Sequence, residues 1–346
     1  MRSFVFHRIG SDPEGLFIKT EEFTDTLVPA PLVVGKNKTA SLRSFIGTDG
    51  HAATAEFRPS PSHNIYRHLY DIAAAVHETY KVLETKESLR NTFLTARPVA
   101  LNEPLGGHIH LSFFVTDKLA YELEKHGCFS NRGEIISRNF GPGGLGETLN
   151  LTASQTNRLA EASYRGDIFE LPRFITGLSY LMTPFEMWIQ PWHDRVCRNG
   201  KYGNPTSLDT LARNQLHTPR PSVSSVYDEM AWFHMEYRAP STWLVHPWLA
   251  YCYLALAKLS ALNWDIIINE PQVTVDKSKS PNNQACQVIF NKRLDYLENC
   301  SGWQTTKDCG QLLSAIRYCD EHRVGWWGPE NAGRVVASSW RKLLVN

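Results

Sequence analysis

The sequence predicts an α+β fold built on a largely antiparallel sheet. Three observations predict it. Short apolar runs broken by Gly and Pro crowd the first third of the chain. Apolar residues at helical spacing crowd the last third, and no strand–helix–strand alternation links the two. In order, residues 3–9 form the first strand, ended by Gly10, and 15–19 and 31–35 are further short strands. Residues 51–58 follow the turn signal Thr48-Asp49-Gly50 and stop at Pro59 and Pro61. A helix covers 64–87, with Ile65, Leu69, Ile72, Ala73, Val76, Tyr80 and Leu83 at helical spacing. Strands return at 93–99 and 108–115.

The middle changes character. Residues 141–146 are a Gly-rich flexible loop, 170–196 a long apolar helix, and 199–226 a polar, Pro-containing loop. Residues 230–238 read as a strand and 243–268 as a buried helix. Residues 269–283 read as a surface loop, and 284–344 as helices with a Gly/Trp-rich break at 325–328.

Composition bounds the function. Apolar residues make up 42% and charged residues 21% of the 346, which suits one large globular domain or two small ones. The formal charge is +1, so no basic excess points to nucleic acid. Seven Cys without a C-x-x-C pair suggest reduced thiols, not a disulfide framework. The N-terminal segment lacks the apolar core of a signal peptide, and no run of about 18 apolar residues offers a membrane span. A cytoplasmic location is expected by elimination.

Four segments place ionisable side chains two residues apart, the spacing that shares one face of a strand. They are Asp12 and Glu14 in GSDPEG, Glu56 and Arg58 in AEFRP, His108 and His110 in GGHIHL, and Glu236 and Arg238 in HMEYRAPS, with His234 on the same face. A solvated strand face explains any one pair. If the strands share a sheet, the four together would crowd carboxylates that repel one another, a repulsion that divalent cations relieve. Oxygen donors with a few imidazoles suit Mg²⁺ or Mn²⁺, and Arg suits phosphate or carboxylate. Phosphoryl transfer needs both. The chain has no G-x-x-x-x-G-K-[ST], which excludes a P-loop grip.

The ordered series GSDPE, DG-x5-EFRPSP, GGHIHL, R-x-x-x-x-x-YG and EYRAPS-x-W, over roughly residues 8–245, resembles the glutamine synthetase-like carboxylate–amine ligases, and most closely their phage-type COOH–NH2 ligases. The resemblance implies a curved, largely antiparallel sheet whose concave face holds ATP and divalent metals, with helices on the convex side. It implies one catalytic domain over 1–346, helical from about 243. Metal ligands would be Asp12, Glu14, Asp49, Glu56, His108 and Glu236. His110, Arg195, Arg198, Tyr202 and Arg238 would meet the nucleotide. Arg238, Arg198 and Glu56 would serve the chemistry. The segment after Gly203 departs from the pattern by lacking an arginine soon after Tyr-Gly, a place Arg213 or Arg220 could fill.

The implied reaction joins a small-molecule or peptide carboxylate to an amine through an acyl phosphate, in the cytoplasm of a cell or of a phage host. His51, His234 or a carboxylate would take the amine proton. Two other readings stay open: a metal-dependent hydrolase, since H-x-H on a strand also binds Zn²⁺, and an inactive binding protein of the same fold.

Overall fold

A computed structural model describes residues 4–21, 24–35, 45–48, 53–96, 105–115, 136–138, 171–190, 214–217, 232–269, 283–324 and 334–345. The sheet is organised around β1 (Phe4–Glu21). Four strands pair with it, all antiparallel: β2 (Thr24–Val28), β4 (Thr54–Phe57), β5 (Thr92–Thr95) and β6 (Gly107–Val115). β3 (Ile46–Thr48) flanks β4. Beyond β6 lie β9 (Trp232–Tyr237), β8 (Asn214–His217) and β7 (Ile136–Arg138). The order among the described residues is β3-β4-β1-β6-β9-β8-β7.

Side chains alternate between the two faces of a strand. On one face, Ile9, Ile109, Leu111, Phe113, Met235 and Tyr237 are buried. Two helices cover this face: α2 (Ile65–Thr85), which packs on β1 and β5, and α4 (Pro247–Leu262), which packs on β1 and β6. α2 starts where Asn64 accepts hydrogen bonds from the amides of Tyr66 (2.8 Å) and Arg67 (3.3 Å). α4 is apolar all round and buried along nearly its whole length, as expected of a helix at the centre of a core. α3 (Leu171–Ile189) packs on α4 and on α6 (Asn283–Glu298). α7 (Leu312–Glu321) packs on α4, and α8 (Ala337–Lys342) on α2. One buried ion pair links α4 to the start of α2. Lys258 of α4 holds both oxygens of Asp308 (2.7 and 2.8 Å) and the carbonyl of His63, while Asp308 accepts the first amide of α2, Ile65 N–H (2.9 Å).

Several expectations change. Gly10 does not end the first strand; β1 runs on through Asp12-Pro13-Glu14 to Glu21 and absorbs the separate strand expected at 15–19. Pro13 is tolerated because the ladder bond here comes from the next residue, Glu14 N–H to Gly106 O (2.8 Å). Residues 31–35 fall mostly in a short helix, α1 (Ala30–Val34), with Pro in its first turn setting a helical φ. A brief apolar run alone cannot separate these two outcomes. Within the loop expected at 199–226, residues 214–217 form β8, held by backbone pairing to β9 without any apolar alternation. The helix expected over 243–268 starts at Pro247 and breaks at Asn263, whose side-chain amide donates to Leu259 O and Gln304 O (both 2.8 Å) before α5 (Trp264–Ile267) begins. No helix among the described residues is long and apolar enough to cross a membrane. The Gly-rich run at 141–146 and the break at 325–328 lie outside the described residues.

Two buried positions give measurable consequences. His68 of α2 is fully buried beneath β1. Its Nδ1–H donates to Ser60 O (3.0 Å), so its Nε2 accepts from the Ser11 hydroxyl (2.7 Å). Burial pushes its pKa down to about 4. The folded chain therefore refuses a proton that the unfolded chain takes up below its ordinary pKa of 6.5. Stability present at neutral pH is lost as pH falls from 6.5 towards 4, by up to about 3 kcal/mol for this residue. Urea titrations across this range should show that loss, and His68→Gln should flatten it. Gly107 opens β6 where Trp243 Nε1–H donates to its carbonyl (3.0 Å). A Cβ there would lie 2.5 Å from both Ser241 O and Trp243 Cδ1. Gly107→Ala should cost about 1–3 kcal/mol in the same assay.

Candidate metal centre

The face of the sheet opposite α2 and α4 carries the polar pairs. Register brings them together. Asp12 lies opposite His108, Glu14 opposite Glu56, and His110 opposite Glu236. Arg58 and Arg238 follow two residues after Glu56 and Glu236, just past the ends of β4 and β9. In the order β4-β1-β6-β9, Arg58 at the end of β4, Asp12, His108 and Arg238 at the end of β9 make a row. Glu56 and Glu14 flank it on one side, His110 and Glu236 on the other.

The contacts are close. His110 Nε2–H donates to Asp12 Oδ1 (2.7 Å). His108 Nδ1 lies 3.5 Å from Asp12 Oδ1 and 3.4 Å from Glu236 Oε1. Arg238 Nε lies 3.5 Å from Glu236 Oε1, and Arg58 pairs with Glu56 and reaches Thr48 O (3.4 Å). Glu56, His108 and Glu236 are buried, and Asp12 and His110 are nearly so. Two sets of donor atoms converge, each within 4.8 Å: Asp12, His110 and Glu236, and Asp12, Glu56 and His108. Asp12 belongs to both.

Electrostatics follow from this crowding. Burial opposes the ionisation of Asp12, but His110 and His108 beside it hold its carboxyl well below the usual carboxylate range. Burial and the neighbouring Asp12 push Glu56 up to about 8, although Arg58 pulls the other way. Burial alone would lower His110; Asp12, Glu236 and Glu56 raise it to about 9. Without a cation, then, protons on Glu56 and His110 balance the buried negative charge. Hard oxygen donors supplemented by imidazole, in a place that keeps protons for want of positive charge, fit a divalent cation such as Mg²⁺ or Mn²⁺.

The sequence candidates divide into three groups. Asp12, Glu56, His108, His110, Glu236 and Arg238 meet in one cluster. Glu14 shares their face, but its carboxylate accepts the amide of Gly106 and belongs to neither donor set. Asp49, His51, Arg195, Arg198, Tyr202, Arg213 and Arg220 lie outside the described residues, and of His234 only the backbone position, opposite Ser112, is described.

Sequence reasoning missed the supports beneath the cluster. Glu186, inside the apolar helix α3, is buried and accepts the amide of Ser241 (2.8 Å). Ser241 in turn bridges to Gly106, whose amide holds Glu14. Thr242 Oγ1 donates to the carbonyl of Glu14 (2.7 Å). A carboxylate on the apolar stripe of a helix was the available signal, because an unpaired acid is rarely buried.

No protein-family model matches the chain, and no curated protein matches it. Among solved structures, a complex of the prokaryotic ubiquitin-like protein Pup with its ligase PafA aligns at a TM-score of 0.40 and 10% identity, over 97% of this chain and 67% of that one. A bifunctional glutathione synthetase from Pasteurella multocida aligns at a TM-score of 0.36 and 10% identity, over 98% of this chain and 48% of that one. The chain thus spans about half the length of the synthetase. Likeness at this level carries no argument about function, which rests on the side chains described above.

Proposed function

We propose that the chain is an ATP-dependent carboxylate–amine ligase of the glutamine synthetase-like type. One observation carries the reading: acids and imidazoles from four strands meet on one face of the sheet, with a guanidinium at each end of the row. Cation ligands alone would serve many hydrolases. Cation ligands between two arginines suit a polyanion whose charge shifts during reaction.

In this reading Asp12, Glu56, His108 and Glu236 hold divalent cations, with Glu14 and Asp49 as further ligands. The cations, Mg²⁺ or Mn²⁺, neutralise charge on the ATP phosphates. His110 lies beside the nucleotide, together with Arg195, Arg198 and Tyr202 from the segment after α3. Arg238 and Arg198 bind phosphoryl oxygens. The substrate carboxylate attacks the γ-phosphorus, forming an O–P bond as ADP leaves. The amine then attacks the acyl carbon, phosphate departs with the C–O electron pair, and the amine proton passes to a base. Remote binding groups position the carboxylate and amine, since such chemistry depends on orientation and charge more than on covalent help from the protein. The same reading makes the chain a single catalytic domain acting in the cytoplasm on small-molecule or peptide substrates.

Purified protein should form ADP with Mg²⁺ or Mn²⁺ only when a suitable carboxylate and amine are both present. Glu236→Gln should lower that rate about 100-fold or more. Absence of metal-dependent ADP formation across a broad panel, or tight Zn²⁺ with hydrolysis indifferent to nucleotide, would defeat the proposal.

Metal affinity should also depend on pH. Glu56 holds its proton below about 8 and His110 below about 9, so a cation must displace protons to bind. Apparent affinity for Mn²⁺ should rise as pH increases from 6 towards 8–9 and then level off. Calorimetry in buffers of different ionisation enthalpy should register the released protons, and a flat profile would contradict the assignment of Glu56 as a ligand.

A further inference from the structure

At the far end of β1 lies a second place built for a ligand. Eight residues of strand separate Thr20 from Asp12, about 25 Å at the usual rise. There the edge of the sheet and the C-terminal end of α2 enclose a cleft of about 760 Å³. Thr20, Lys86, Asn91, Thr92, Phe93 and Arg334 are among the residues that line it. Asn91 sits in the left-handed region (φ 61°), which Asn tolerates, and its carbonyl accepts Thr20 N–H (3.2 Å).

Arg334 is the feature that needs explaining. Its guanidinium carbon lies 4.1 Å from the centre of the Phe93 ring. Stacking of this kind fixes the plane of the fork and leaves its N–H edge available for a carboxylate. The backbone on either side is pinned: Arg334 bridges to Thr95, Val335 N–H donates to Leu94 O (2.9 Å), and the Tyr80 hydroxyl donates to Val335 O (2.8 Å). The acids that line the same cleft are engaged with other arginines, Glu84 with Arg341 (2.8 Å) and Glu87 with Arg90 (3.0 Å). Among the described residues no carboxylate pairs with Arg334.

We infer that this cleft binds a small carboxylate-bearing ligand, with the edge of Arg334 gripping the carboxylate and the polar lining of the cleft receiving its remaining polar groups. The distance to the strand cluster is too great for one small molecule to fill both, so the site is separate from the proposed reaction centre and stands whether or not that centre transfers phosphate.

The test is calorimetric titration of metal-free protein with succinate at low ionic strength. Succinate should bind saturably. Arg334→Gln should weaken binding at least about tenfold, Arg334→Lys should recover part of the loss, and Arg238→Gln should leave it unchanged. Because Arg334 is exposed, its variants should keep the parent circular dichroism spectrum. No saturable heat, equal binding by Arg334→Gln, or loss in Arg238→Gln alone would overturn the site. So would inorganic phosphate binding as tightly as succinate, which would remove the preference for carboxylate.

Discussion

The pairing of β1 with β6 sets almost everything else. Asp12 faces His108, and because strand side chains alternate, that single register sends Ile9, Ile109, Leu111 and Phe113 to the opposite face. A slip by one residue would put these apolar groups in the polar cluster and press Asp12 and His110 against α4. With Met235 and Tyr237 of β9, six fully or almost fully buried side chains oppose such a slip. At about 1.5–3 kcal/mol each, they are worth on the order of 10 kcal/mol. The apolar face therefore fixes the register, and the charged face is carried into place by it. That order of cause matters, since the cluster is not a source of stability on its own. Buried like charges cost free energy until something neutralises them.

This explains why spacing was legible while boundaries were not. Residues two apart on a strand share a face whatever the strand's length, so 12/14, 56/58, 108/110 and 236/238 could be paired without knowing where any strand ended. Strand ends depend on partners instead. Gly10 and Pro13 look like stops in one dimension, yet β1 continues through them. Gly10 sits within the β6 pairing, where the Cβ of His110 lies just 3.4 Å from where its own would be, and at Pro13 the neighbouring amide supplies the bond. β8 is held by backbone pairing to β9 and β7, and its sequence gives no alternation to read. Glu186, His68 and Lys258 escaped for a related reason. Each is a polar residue in a helix whose partner, Ser241, Ser11 or Asp308, lies on a distant segment that the sequence does not place beside it.

The supports beneath the cluster show how a core transmits position to a polar surface. Glu186 in α3 holds Ser241, Ser241 bridges to Gly106, and the Gly106 amide holds Glu14. On the other flank, His68 in α2 ties β1 at Ser11 to Ser60, in the connection that follows Glu56 and Arg58. Both chains start in helices packed in the core and end within two residues of a cluster side chain. Rigid elements behind a site, linked to it by short hydrogen bonds, are what keep donor atoms within a few tenths of an ångström of a working arrangement.

The charge pattern across the sheet argues for the kind of ligand it meets. Neighbouring strands lie about 4.8 Å apart, so the row Arg58, Asp12, His108, Arg238 spans about 14 Å. Positive groups stand at both ends, and the carboxylates gather between them. Without a cation the guanidiniums pair with Glu56 and Glu236. A cation that captured those carboxylates would release both guanidiniums to a new anionic partner. Metal binding and anion binding would thereby be coupled through Glu56 and Glu236, each of which can serve a cation or an arginine but gains little from both at once. An anion long enough to reach from one arginine to the other while resting on cations between them is a polyphosphate rather than a single carboxylate, which is what the proposed nucleotide-driven ligation would supply.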